Sequence, residues 1–157
     1  MAGALINALL TSFFATLGFG VLLHAPSRAL LPAALTGMTA HVCYWALNAA
    51  GLSHQAAIFA AAVCASVLAE LLARRMKMAA TVLITLSIIP LVPGLALYRA
   101  MAFLARGESK AGLELGVSAM ITFLMIALGV GMGSFLVRIR RDHRGAAPAT
   151  PPKGPGA

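Results

Sequence analysis

The chain has 157 residues, of which 61% are hydrophobic and only 10% charged, and its mean hydropathy is +0.92. A soluble domain carries roughly a quarter charged residues, so no packing of this sequence could clothe a water-facing surface; an apolar exterior suits a bilayer. The formal net charge of +8 would suggest nucleic acid in a soluble protein, but here the basic residues lie between apolar runs and in the tail, as in cytoplasmic loops of membrane proteins.

In chain order, residues 4–23 form an uncharged run long enough to span a hydrocarbon core. No positive segment precedes it, so a retained helix is expected rather than a signal peptide. His24-Ala25-Pro26-Ser27-Arg28 reads as a loop. Residues 30–48 are the second span, with Pro32 tolerated in its first turn and Tyr44 and Trp45 near its far end, like interfacial aromatics. After a turn at 49–53, the alanine-rich third span covers 54–73 and ends in Glu70 and the cluster Arg74-Arg75-x-Lys77. The fourth covers 79–105 and is interrupted by Pro90-Leu91-Val92-Pro93-Gly94; a polar connection at 106–112 leads to the fifth, 113–137.

The expected fold is therefore all-α: a polytopic membrane helix bundle of about five transmembrane helices with a broken fourth. Residues 1–137 form the transmembrane domain. Residues 138–157 are basic and then rich in Pro, Gly and Ala, a cytoplasmic tail too poor in apolar surface to order itself. The positive-inside rule fixes the orientation. Arg28, Arg74, Arg75, Lys77, Arg138, Arg140, Arg141, Arg144 and Lys153 fall on one side, against Arg106 and Lys110 on the other. The N-terminus is expected outside and the C-terminus in the cytoplasm.

The broken fourth helix is the most informative feature. Residues 79–89 give about 16 Å of helix at ~1.5 Å per residue, half of the roughly 30 Å core, so the prolines fall near the midplane. Each removes an N–H and presses its ring on an earlier carbonyl. A second half-helix starting near Pro93 or Gly94 would present free N–H groups and a positive dipole end at membrane depth. Such backbone is tolerated only where it is buried in protein or lines a cavity, and half-helix N-termini aimed at a carboxylate are a transporter device. The plain alternative is a proline kink satisfied by neighbouring helices.

Pro90, Pro93, Gly94, Leu95, Ala96 and Tyr98 are accordingly the candidate substrate-binding residues. His41, close to mid-depth in the second span, and Glu70 are the candidates for proton coupling. Each also has a structural reading: a hydrogen bond between helices for His41, and an ion pair with Arg74 four residues on for Glu70. Arg99 lies inside a span, where it could meet a carboxylate or snorkel outward. Glu114 reads as interfacial. Gly112 with Gly116, and Gly129 with Gly133, are small-residue spacings that let helices approach closely without naming the neighbour. Cys43 and Cys64 lie in apolar runs, where cysteine behaves as a small hydrophobe. No metal-ligand spacing exists, and no cofactor is implied. Gly107-Glu108-Ser109-Lys110-Ala111 only approaches G-x-S-x-G, so an enzyme is not expected.

The stretch Ile89-Pro90-Leu91-Val92-Pro93-Gly94, with Tyr98 after it, resembles the C-terminal membrane half of the threonine/serine exporter family. Gly18-Phe19-Gly20, Pro26-x-Arg28-Ala29-Leu30 and Gly37 resemble the same half, as does Leu71-Leu72-Ala73-Arg74-Arg75. The likeness runs from about residue 17 to 101. Gly37 followed by His41 is similar to some small subunits of two-subunit succinate exporters. The resemblance implies export of small amino acids or dicarboxylates across the bacterial inner membrane, driven by ion gradients. It also implies a larger membrane subunit carrying the complementary N-terminal half; a homo-oligomer stays open. Met76-Lys77-Met78-Ala79-Ala80 departs from the pattern, since relatives often have a proline there. A structural or assembly subunit without substrate ligands is the alternative reading.

Overall fold

In lipid every backbone group must find its partner within the protein, and uncharged runs of Ala, Leu, Val and Gly can do so as helices. The computed structural model describes the backbone of residues 2–145 and the side chains of residues 6–139. Its elements are α1 (Ala2–Leu22), α2 (Ser27–Ala49), α3 (His54–Met76), α4 (Ala80–Ile88), one 3-10 turn (Ile89–Leu91), α5 (Gly94–Ala105) and α6 (Ser109–Gly145). Helices α2, α3 and Ser109–Ile139 of α6 are each long and apolar enough to cross a membrane. The pair Ala80–Leu91 and Gly94–Ala105 makes a further span bent by 55°, and Ile6–Leu22 of α1 is a shorter apolar helix. This is the expected polytopic bundle with its fourth helix broken.

The helices run past the apolar runs that predict them. α6 continues through the basic residues to Gly145, so the composition change at 137/138 falls inside a helix. The remainder of the expected tail, residues 146–157, lies outside the described residues.

Four helix ends share one closing geometry, with His24, Gly51, Lys77 and Gly107 at positive φ. After α3, the Lys77 N–H donates to the Arg74 carbonyl and the Met78 N–H to the Ala73 carbonyl, at 3.3 and 2.9 Å. These are the two bonds of a Schellman cap. At α3's other end the Ser53 hydroxyl accepts from the Ala56 N–H.

Apolar side chains gain little by leaving lipid for one another, so close approach of small residues drives helix packing in membranes. α3 is the centre of the bundle. It buries Ala57, Ala61, Ala62, Ala65, Ser66, Ala69 and Ala73 along one broad face. Gly129 and Gly133 of α6 sit on it: a methyl at Gly129 would lie 2.7 Å from the Phe59 carbonyl oxygen, and one at Gly133 would collide with the Ser66 hydroxyl. Gly112 packs against Ala100 and Leu104 of α5, with Gly116 against Ala100. Both glycine spacings are therefore used inside the chain. On α1, Ser12, Thr16 and Gly20 form the small, buried face towards the bundle.

Gly129 beside Ala62 and Gly133 beside Ser66 put α3 and α6 parallel and in register. Ser109 then lies about 30 Å before Gly129, and His54 about 12 Å before Ala62. The α5–α6 hairpin thus overreaches the α2–α3 turn by roughly 18 Å. At the opposite end Arg74 ties two helices together, donating to the Glu70 carboxylate at 3.1 Å and to the Val137 carbonyl at 3.4 Å. Within the bundle the hydroxyls of Thr36 (α2) and Ser87 (α4) share a buried hydrogen bond.

Candidate functional site at the helix break

Pro90 and Pro93 do what their missing N–H groups require. α4 stops at Ile88, the chain tightens into the 3-10 turn, and Val92 is extended at φ −67°, ψ 127°. Pro93, at φ −79° and ψ 52°, turns the chain sharply, and the Gly94 N–H donates back to the Val92 carbonyl at 2.9 Å. That is an inverse γ-turn. Helix α5 begins here and the Leu97 N–H reaches the Pro93 carbonyl at 3.1 Å. Among the described residues no acceptor takes the N–H groups of Leu95 and Ala96.

The break sits deep in the bundle. Leu91 belongs to the core made by Ala40, Ile58, Ala61, Ala62, Ala65 and Ile126, near the middle of α3. The Pro90 ring rests on Gly37, where a methyl would come within 3.4 Å of it and still closer to the Thr16 hydroxyl. Gly37 is what lets α1, α2 and the break converge.

Beside the break is a cavity of about 140 Å³ lined by His41, Tyr44, His54, Ile58, Pro90, Leu91, Pro93 and Thr122. The Pro90 backbone carbonyl faces the His41 ring, while His41 Nδ1 is buried with no partner among the described residues. Tyr44 Oη and His54 Nδ1 are 3.0 Å apart. The Thr122 hydroxyl is engaged by the Ser118 carbonyl at 3.0 Å. A larger hollow, about 330 Å³, opens between the α1–α2 turn and α4 at the other end, lined by Leu23, His24, Pro26, Thr81, Val82 and Thr85 among others.

The structure brings His41, Pro90 and Pro93 together on the cavity. Gly94, Leu95 and Tyr98 lie on the outer face of α5, with Leu95 62% and Tyr98 70% exposed; Ala96 is half-buried. Within the chain α5 packs chiefly on α6. Arg99 is exposed on the same helix. Glu70 is buried and paired with Arg74, about 24 Å from His54 along α3. Sequence reasoning missed Tyr44, His54, Ile58, Leu91 and Thr122. One signal was available: Gly37, His41 and Tyr44 recur at i, i+4 and i+7, one face of a helix. Nothing in the spacing of Cys43 and Cys64 hints that their sulfurs lie 3.7 Å apart across α2 and α3.

A helical membrane protein with a span broken near its middle, beside a small, mainly apolar cavity that holds two histidines and a tyrosine, has the architecture of a secondary transporter. Residues 8–136 match the family described as "Threonine/Serine exporter, ThrE". This chain belongs to the threonine/serine exporter family. It is 35% identical over 114 residues to the probable threonine/serine exporter of Mycobacterium tuberculosis (strain ATCC 25618 / H37Rv), a match covering 72% of this chain and 22% of that protein. The matched part is thus less than a quarter of that relative's length. No solved structure matches.

Proposed function

We propose that this chain is the small membrane subunit of a secondary exporter that moves threonine, serine or similarly small polar acids out of the bacterial cytoplasm. The carrying observation is the break itself: a half-helix start at the edge of the bundle core, exposed at Gly94 and Leu95, with the Leu95 and Ala96 N–H groups without acceptors among the described residues. Free N–H groups and the dipole of α5 favour an anion, and a substrate carboxylate supplies one. Pro90 and Pro93 hold the break open, Gly94 lets the backbone approach the ligand, and Tyr98 borders the site one turn on.

Because Leu95 and Tyr98 face away from this chain's own helices, the site is completed by a second, larger membrane subunit lying against α5. The substrate then sits between subunits whose relative rocking gives alternating access. His41, on the inner side of the break, carries the coupling proton; Glu70, held by Arg74, anchors α3 to α6. The distribution of Lys and Arg favours an N-terminus outside and a C-terminus in the cytoplasm. The relative's name favours hydroxy amino acids over dicarboxylates as cargo. The reading of the chain as an assembly subunit drew on glycine spacings that the structure spends within the bundle.

The test is efflux of serine, threonine and succinate from cells carrying Pro90→Ala with Pro93→Ala. Export should be lost while the protein remains in the membrane. Undiminished efflux from that double variant would remove the site from this location.

A further inference from the structure

The cavity behind the break has two histidines at different depths and one tyrosine between them. His54 is the first residue of α3 and is exposed; His41 is on the break, its Nδ1 buried and without a partner among the described residues. Tyr44 bridges towards both, with Oη 3.0 Å from His54 Nδ1 and its ring centroid 5.9 Å from that of His41. A buried polar atom without a protein partner calls for water. A cavity of about 140 Å³ has room for about four waters at ~30 Å³ each.

We infer that His54 and Tyr44 are the entry of a proton path from the α2–α3 side of the membrane to His41, an inference that rests on the exporter reading above. In each passage His54 gains a proton at Nε2 from the aqueous side and releases one from Nδ1 to the Tyr44 oxygen. The Tyr44 hydroxyl proton passes in the same event to cavity water, and a proton of that water reaches His41 Nδ1. One proton has moved: His54 makes an N–H bond at Nε2 and loses the one at Nδ1, His41 gains one at Nδ1, and Tyr44 and the water are restored. A neutral imidazole has one donor and one acceptor nitrogen, and a hydroxyl can do both, so the chain can reset by ring and hydroxyl rotation.

Among the described residues, the other titratable groups on the elements that line this cavity lie off the path. On α2 the adjacent titratable group is Cys43, which faces Cys64 of α3. The break contributes the Pro90 carbonyl. α6 contributes Thr122, its nearest carboxylate being Glu114, about 12 Å away along the helix. Glu70 is held by Arg74 at the far end of α3.

Everted membrane vesicles from the native host, with the chromosomal gene carrying His54→Gln or Tyr44→Phe, separate coupling from carriage. Exchange of labelled for unlabelled serine across equal pH requires no net proton movement; uptake driven by an acid lumen does. Both variants should keep exchange near the wild-type rate and lose acid-driven uptake by about a hundredfold, the low end of what a positioned proton-transfer group contributes. His54→Gln should also flatten the dependence of driven uptake on luminal pH. Unchanged driven uptake in either variant overturns the path, as does a parallel loss of exchange or the disappearance of both variants from the membrane. Absence of exchange in wild-type vesicles would instead strike the exporter reading itself.

Discussion

Replacing Gly129 by alanine tests the central seam of the bundle. The added methyl would stand 2.7 Å from the Ala62 Cβ and 2.7 Å from the Phe59 carbonyl oxygen, with the Val63 backbone nitrogen at 3.3 Å. Carbon atoms in good contact sit about 3.5–4.0 Å apart. Two of the three obstacles are backbone, so no rotamer change relieves them, and α6 must back away from α3 by about 1 Å. A gap of that size forfeits roughly a quarter to a half of the dispersion energy of each contact along the seam. Overpacking of this kind costs ~1–3 kcal/mol, against a helix-propensity gain from Gly to Ala of ~1 kcal/mol. Gly131, two residues on, has nothing within 4 Å of an added methyl, so Gly131→Ala keeps the gain alone. Purified protein in detergent, heated and scored for surviving monodisperse material, should rank Gly131→Ala above wild type and Gly129→Ala below it. Equal stability of the two variants would refute the seam as described. Greater damage from Gly131→Ala would place the critical helix contact on the opposite face of α6.

Lys77→Gly relieves the left-handed strain at the end of α3, where φ is +53°. It should raise thermal stability by up to ~1 kcal/mol in the same heating assay, because glycine adopts that conformation without steric cost. Cys43 and Cys64, with sulfurs 3.7 Å apart, should form an intramolecular disulfide on treatment with a membrane-permeant oxidant. Mass spectrometry would register the loss of two hydrogens, and Cys64→Ser would abolish it. Glu70→Gln leaves Arg74 without its charged partner and should lower stability by ~1–2 kcal/mol while export per folded molecule is maintained. An export defect exceeding the loss of folded protein would give Glu70 a part in coupling.

Membrane residence and the broken span are legible in the sequence because each follows from local chemistry. Few polar side chains leave only lipid as a solvent, and two prolines with a glycine in five residues cannot continue a helix. His41, Pro90 and Pro93 could be singled out on those grounds. Tyr44 could not, since an aromatic near a helix end reads equally well as an interfacial anchor. His54 and Thr122 come from different helices, and no spacing along the chain relates them. The glycine pairs show the same boundary. Their spacing announces a close helix contact, yet whether the neighbour is another subunit or α3 depends on register, which Ala62, Ser66 and the backbone of Phe59 and Val63 settle only in three dimensions. By itself, then, the sequence determined the solvent, the helices and the place where one of them breaks, because backbone hydrogen bonding and side-chain transfer are local. The tertiary structure alone decided which side chains share the cavity, that the two thiols meet, and that α5 turns its Leu95 and Tyr98 outward, because those depend on the angles and registers at which helices pack.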